Sequence, residues 1–185
     1  MDVIIALLRG VNVGGHNMIK MEDLRDICGA LDLMDARTYV QSGNIVFKTG
    51  EKDLRKLAKR MEEAIEQGHG FRPSVICRTV AEMKAAVARS PFAKRADLEP
   101  SKLAVSFLAS EPSNMARAKL LQIKTEPEEL RIGEHELFIY FPNGMGRPKL
   151  SMAAVERAIQ TPMTTRNWNT VTKLIEMAEE MGTEK

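Results

Sequence analysis

Two stretches of the sequence carry residue types at spacings that can do chemistry. The first is Gly10-Val11-Asn12-Val13-Gly14-Gly15-His16-Asn17, flanked by Arg9 and Lys20 and lying between an apolar run and a helix-period segment. A glycine-rich turn between a strand and a helix can aim backbone N–H groups at an anion, with the helix dipole adding to the attraction. Arg9 and Lys20 would neutralise a phosphate there, with Asn12, Gly14 and Gly15 approaching it. The spacing is neither GxGxxG nor a Walker A. The plainer reading of Gly10, Gly14 and Gly15 is tight turns with positive φ. His16 is the residue an enzyme would use there as general acid or base.

The second stretch is Pro142–Lys173, where Arg147, Lys149, Arg157, Arg166 and Lys173 face one acid, Glu156, for a local charge of +4. Glu126–Glu136 just before it holds five glutamates and one arginine, a local −4, and Leu174–Lys185 carries −3. The functional reading makes Arg147 and Arg166 bidentate forks for a phosphate or carboxylate and Lys149 a point charge. Asn167 and Asn169 would then hydrogen-bond a base or sugar, and Trp168 would stack on a base. Against this, Trp168 shares a helical stripe with Val171 and Ile175, which favours a core anchor. Asn167 or Thr165 would serve equally as a helix cap.

Other chemistry finds little support. His16, His69 and His135 show no metal-ligand spacing, so no metal site is expected. No GxSxG elbow is present, and Cys28 and Cys77 sit in periodic apolar segments that predict buried thiols. Phe138 and Tyr140 fall on one face of a strand and Leu137, Ile139 and Phe141 on the other. RNA-binding plaits stack bases on such aromatics, but the RNP1 pattern is missing and core packing is the expectation.

The elements that must position these residues follow from periodicity. Val3–Leu8 is continuously apolar, as a strand buried on both faces would be. Met21, Leu24, Ile27, Cys28 and Leu31 mark a helix, Arg37–Gln41 and Ile45–Lys48 two strands about the turn Ser42-Gly43-Asn44, and Leu54–Ile65 a second helix broken by Gly68 and Gly70. Ser74–Arg78 completes β-α-β-β-α-β, the ferredoxin-like arrangement. A linking helix near 79–90 leads to a second series of the same order: Leu103–Ala109, Met115–Ile123, Glu129–Ile132, Leu137–Phe141, Met152–Ile159 with Ser151 as N-cap, and Pro162–Arg166. A terminal helix begins near Trp168.

Four segments are more specific than periodicity: Ala6–Gly15, Thr38–Phe47, Gly144–Leu150 and Thr165–Leu174. Together they resemble the bacterial family catalogued as domain of unknown function 1697, in the family's order, from near the first residue to about Met177. The resemblance implies two α/β-plait domains and no particular activity.

The 185 residues are 44% hydrophobic and 28% charged, with a net charge of +2, which excludes disorder and a uniformly basic nucleic-acid coat. The start lacks the pattern of a signal peptide, and no run approaches the roughly 20 apolar residues of a membrane span. The expectation is a cytoplasmic α+β protein of two ferredoxin-like domains. Residues 1–78 form the first, 79–102 a link, and 103–185 the second with its terminal helix. The expected ligand is phosphate-bearing, a nucleotide, a nucleic-acid segment or a small anion, with no membrane partner and no cofactor. The proposed contacts are Arg9, Asn12, Gly14, Gly15, Lys20, Arg147, Lys149, Arg166, Asn167 and Asn169. The alternatives are an enzyme acting on a small phosphorylated or carboxylated metabolite and an interaction protein with no ligand site.

Overall fold

The computed structural model describes residues 1–183. Strands β1 (Asp2–Leu8), β2 (Met34–Tyr39), β3 (Asn44–Thr49) and β4 (Val75–Thr79) form one antiparallel sheet in the order β2-β3-β1-β4. Helices α1 (Met21–Ala30) and α2 (Leu54–His69) supply the connections. After α3 (Val80–Arg89), the pattern repeats. Strands β5 (Leu103–Leu108), β6 (Glu129–Ile132), β7 (Glu136–Tyr140) and β8 (Met163–Asn167) pair in the order β6-β7-β5-β8, with α4 (Asn114–Leu121) and α5 (Met152–Ile159) as crossovers. Helix α6 (Trp168–Thr183) closes the described chain. Both sheets have the ferredoxin-like order. By contact, the chain divides into Met1–Lys84 together with the chain from Lys173 onward, and Ala85–Thr172.

Each core grows from the middle strand of its sheet. Ile4, Ala6 and Leu8 of β1 pack with Leu24 and Cys28 of α1 and with Leu57, Met61 and Ile65 of α2. The intervening Ile5 and Leu7 are also fully buried, so β1 is apolar on both faces, as its unbroken hydrophobic run predicts. In the second unit, Ala104 and Leu108 of β5 pack with Leu120 of α4, Val155 and Ile159 of α5, and Leu137, Ile139 and Phe141.

Local chemistry sets the boundaries. Asp53 caps α2, its carboxylate accepting from the N–H groups of Arg55 and Lys56 at 3.0 and 3.1 Å. That helix runs through Gly68 and stops at Gly70, whose φ of +74° turns the chain out of the helix. Sequence alone marked both glycines as breakers, but a glycine inside a helix only weakens it, by about 1 kcal/mol relative to alanine. Strand β2 starts three residues earlier than its alternation suggests. Its pairing with β3 shifts register between Met34 and Arg37, and Asp35, at φ +56°, forms an ion pair with Lys48 at 3.0 Å. A bulge of this kind breaks the period-2 signal.

Gly43, in the β2–β3 turn, has the tightest surroundings of any glycine. Its φ is +75°, and a Cβ there would lie 2.6 Å from Val11 Cγ2 and 2.7 Å from Leu8 Cβ. Its carbonyl accepts from Leu8 N–H at 2.8 Å, so the close approach is part of the sheet's end.

Replacing Gly43 by alanine adds left-handed strain to a steric clash and is expected to cost about 2–4 kcal/mol in urea denaturation. Gly50→Ala, where the space is open, should stay within about 0.5 kcal/mol of the parent. Burial pushes both thiols, Cys28 and Cys77, up to about 12 from the ordinary 9.0. The native thiols should therefore ignore Ellman's reagent at pH 8 and react once urea unfolds the chain. Because the folded state holds the protonated form, the stability this contributes is full below pH 9 and is lost as pH rises from about 9 toward 12. A pH series of urea midpoints measures that loss.

Candidate functional site

The glycine-rich segment folds as a small hairpin. Val13 and His16 form an antiparallel bridge around Gly14-Gly15, both at positive φ (+58° and +79°), as a two-residue primed turn requires. Asn12 holds this hairpin to the rest of its unit. Its side-chain nitrogen donates to the carbonyls of Ile19 (2.9 Å) and Gln41 (2.8 Å), and its side-chain oxygen accepts from Ile19 N–H (2.8 Å). Asn17 donates to the carbonyl of Gly10 at 3.0 Å. Arg9, His16 and Lys20 are exposed along the same segment. Helix α1 begins only at Met21, and Glu22 and Asp23 already occupy its first turn. Those acids answer the helix dipole from within the chain. Asn12, Gly14 and Gly15 thus have structural work, and the basic side chains around them face solvent.

In the second unit the basic segment separates into a buried part and an exposed part. Arg166 lies in β8 and is 7% exposed. Its guanidinium donates to Thr164 Oγ1 at 2.7 Å and to the carbonyl of Thr165 at 2.9 Å. Burial lowers its pKa to about 10, so it remains a cation at neutral pH. Asn167 ends the same strand, donating to the carbonyl of Ser101 (2.7 Å) and accepting from Asn169 N–H (2.9 Å). Asn167 therefore caps α6. Trp168 and Ile175 of that helix are half-buried, while Val171, Leu174, Ala178 and Met181 are fully buried.

Arg147 and Lys149 are exposed on the loop between β7 and α5. Lys149 lines an open cavity of about 460 Å³ with Lys124, Glu126 and Pro127. The loop is anchored from beneath. Glu128, only 3% exposed, accepts from Lys149 N–H at 3.1 Å and Leu150 N–H at 2.9 Å. Two residues on, the Ser151 hydroxyl caps α5 by accepting from Ala154 N–H at 3.2 Å, and the first turn of α5 holds no acid. The loop is thus preorganised, with two lysines and one carboxylate, Glu126, on the cavity and a helix start free of acids beside it.

Lys124 went unrecognised in the sequence because it lies 25 residues from Lys149, beside the acidic run. In space that run is largely spent. Glu128 holds the loop, Glu129 accepts from Arg95 at 2.8 Å, and Glu136 is buried beside Arg89 at 3.4 Å. Phe138 is buried, Leu137, Ile139 and Phe141 share the helix-facing core, and half-buried Tyr140 lies 6.4 Å from Phe92 between ring centroids, with the Arg95 guanidinium 6.0 Å from its ring. Among the described residues, no three His, Cys, Asp or Glu side chains gather to hold a metal ion, and no helix is long and apolar enough to cross a membrane.

The repeated β-α-β-β-α-β units, with their charges at strand ends, define an α+β protein built of two plaits. The chain belongs to the family described as protein of unknown function (DUF1697), whose model matches residues 1–138. The segments Gly144–Leu150 and Thr165–Leu174 lie beyond that matched range. The chain is also similar to the solved structure of conserved bacterial protein SP0830 from Streptococcus pneumoniae, at 23% identity and a TM-score of 0.71. That similarity covers 96% of this chain and 98% of the other, and at this identity it speaks to the fold. No curated protein matches.

Glu128→Ala leaves the buried Leu150 N–H and the partly buried Lys149 N–H without their acceptor, with an expected cost of about 1–3 kcal/mol. Hydrogen exchange at Lys149 and Leu150 should quicken well beyond the change in global stability. Unchanged protection of those two amides in the variant would show that the carboxylate does not organise the loop.

Proposed function

We propose that this protein is a binding module for a phosphate-bearing ligand, a nucleotide or nucleic-acid segment, held in its second unit by Lys124, Arg147 and Lys149. The observation that carries this reading is the open cavity shared by Lys124 and Lys149. Support comes from the Glu128 anchor beneath the loop and from the acid-free start of α5. Lysine suits such a place. Its ammonium is a strongly hydrated point charge on a flexible stem, able to follow a phosphate in an open, wet site.

In this reading Arg166, Asn167, Asn12, Gly14 and Gly15 support the scaffold, and the ligand meets the exposed cations. Arg9 and Lys20 are exposed in the first unit and lie outside this site.

Titration of fluorescein-labelled single-stranded RNA and of ATP across a salt series tests the proposal. Affinity should fall steeply with salt, because released counterions drive binding. Each of Lys124→Ala and Lys149→Ala should reduce the salt slope for RNA by about 1. Affinity for both probes that the double variant leaves unchanged would overturn the reading.

A further inference from the structure

A second cavity, of about 640 Å³, lies in the second unit among the end of α3, the outer side of α4 and the edge strand β6. That volume falls within the roughly 300–1,000 Å³ of pockets that hold small organic ligands. Its surface is chiefly apolar, from Pro91, Leu121, Leu130, Ile132 and Phe138. Leu121 is 78% exposed, an unusual amount of open apolar surface for a leucine at the mouth of a pocket. Three arginines, Arg89, Arg117 and Arg131, stand around this apolar floor with one acid, Glu134.

The three arginines are not equivalent. Arg117 is a brace. It donates to the carbonyls of Pro112 (3.4 Å), Gly133 (3.0 Å) and Glu134 (3.5 Å), and pairs with Glu111 at 3.3 Å, tying α4 to the β6–β7 turn. Arg89 and Arg131 are more weakly held. The nearest carboxylate to Arg89 is Glu136, at 3.4 Å. Arg131 donates to the Leu130 carbonyl at 3.0 Å, lies 5.9 Å from the Phe92 ring centroid, and reaches Glu129 at 3.3 Å, where Arg95 already engages both carboxylate oxygens at 2.8 and 3.0 Å. Both side chains are solvent-accessible, at 46% and 54%. The arrangement is an apolar cleft with one braced wall and two arginines whose carboxylate partners stand at 3.3–3.4 Å.

From this geometry we infer that the cleft is a binding site for a small amphiphilic carboxylate, its apolar body on Leu121, Leu130 and Ile132 and its head on Arg89 and Arg131. Guanidinium matches a carboxylate bidentately and is weakly hydrated, so it keeps its attraction beside an apolar wall where an ammonium would lose solvation. With Glu134 in the lining and Glu136 behind Arg89, a single negative charge complements the cleft better than a dianion. The site is distinct from the lysine cavity, and neither reading rests on the other.

Amide shift mapping on the full chain with octanoate, 1-octanol and inorganic phosphate tests this inference. Octanoate should shift the amides of Leu121, Ile132 and Gly133, bind at least tenfold more tightly than 1-octanol, and leave Lys149 unmoved. Phosphate should leave the three cleft amides unshifted. Arg131→Gln should remove most of octanoate's advantage over the alcohol. Because Arg89 also faces buried Glu136, Arg131→Gln carries the charge test. Leu121→Gln, at an exposed position that folding does not need, should weaken both eight-carbon probes. Equal binding of octanoate and octanol, octanoate binding indifferent to Arg131→Gln, phosphate competing at the cleft, or octanoate shifts confined to other residues would each overturn the inference.

Discussion

Burial of the middle strand of each sheet constrains the rest of this molecule. β1 carries Ile4, Ile5, Ala6, Leu7 and Leu8 in succession, each at most 1% exposed, and is paired on both edges. β5 repeats the arrangement with Ala104, Val105, Phe107 and Leu108, paired to β7 and β8. A strand so enclosed has no face for a polar side chain that needs water, so charged chemistry moves to the strand ends. Ser106 shows the rule from the other side. Although buried at the centre of β5, it has a partner in Thr165 Oγ1 at 2.7 Å. Gly43 and Asn12 then secure the end of the first sheet, one by leaving out a side chain and the other by supplying three hydrogen bonds.

Charge along the chain and charge in space differ for the same reason. The glutamates before β6 and in the β6–β7 region form a local −4 in sequence, yet three of them are matched to backbone N–H groups or arginines within the unit. Such matched acids repel an incoming anion far less than their number suggests. Conversely, one of the five cations in the following +4 segment, Arg166, is folded into the sheet. Alternation along β8 decides this, because Thr164 and Arg166 share the face opposite Met163. Burial there lowers its pKa to about 10.

Most of the fold was therefore legible in the sequence. An unbroken apolar run announced β1, three-and-four spacing announced α1 and α2, and Ser151 announced the cap of α5. The start of β2 was not legible, because the bulge at Asp35 hides the alternation. Gly68 misled, because a glycine inside a helix and one that ends it look alike until the backbone angle is known. The candidate sites were legible only where their residues are neighbours in the chain. Arg147 and Lys149 stand two apart. Lys124 joins Lys149 through a fold-back, and Arg89, Arg117 and Arg131 come from three separate elements with no shared pattern.

The chemistry of the two cavities follows from which cation each employs. Lysines in an open, hydrated setting select for charge and little else, because water competes for every contact and the ammonium has no preferred plane. Guanidinium groups against leucine and isoleucine select jointly for a planar anion and an apolar body, since losing either leaves a desolvated surface uncompensated. Both cavities lie in the second unit, so a single plait presents two differently built cationic surfaces around one core. What distinguishes the two surfaces is the identity of the cation and whether its neighbours are water or apolar side chains.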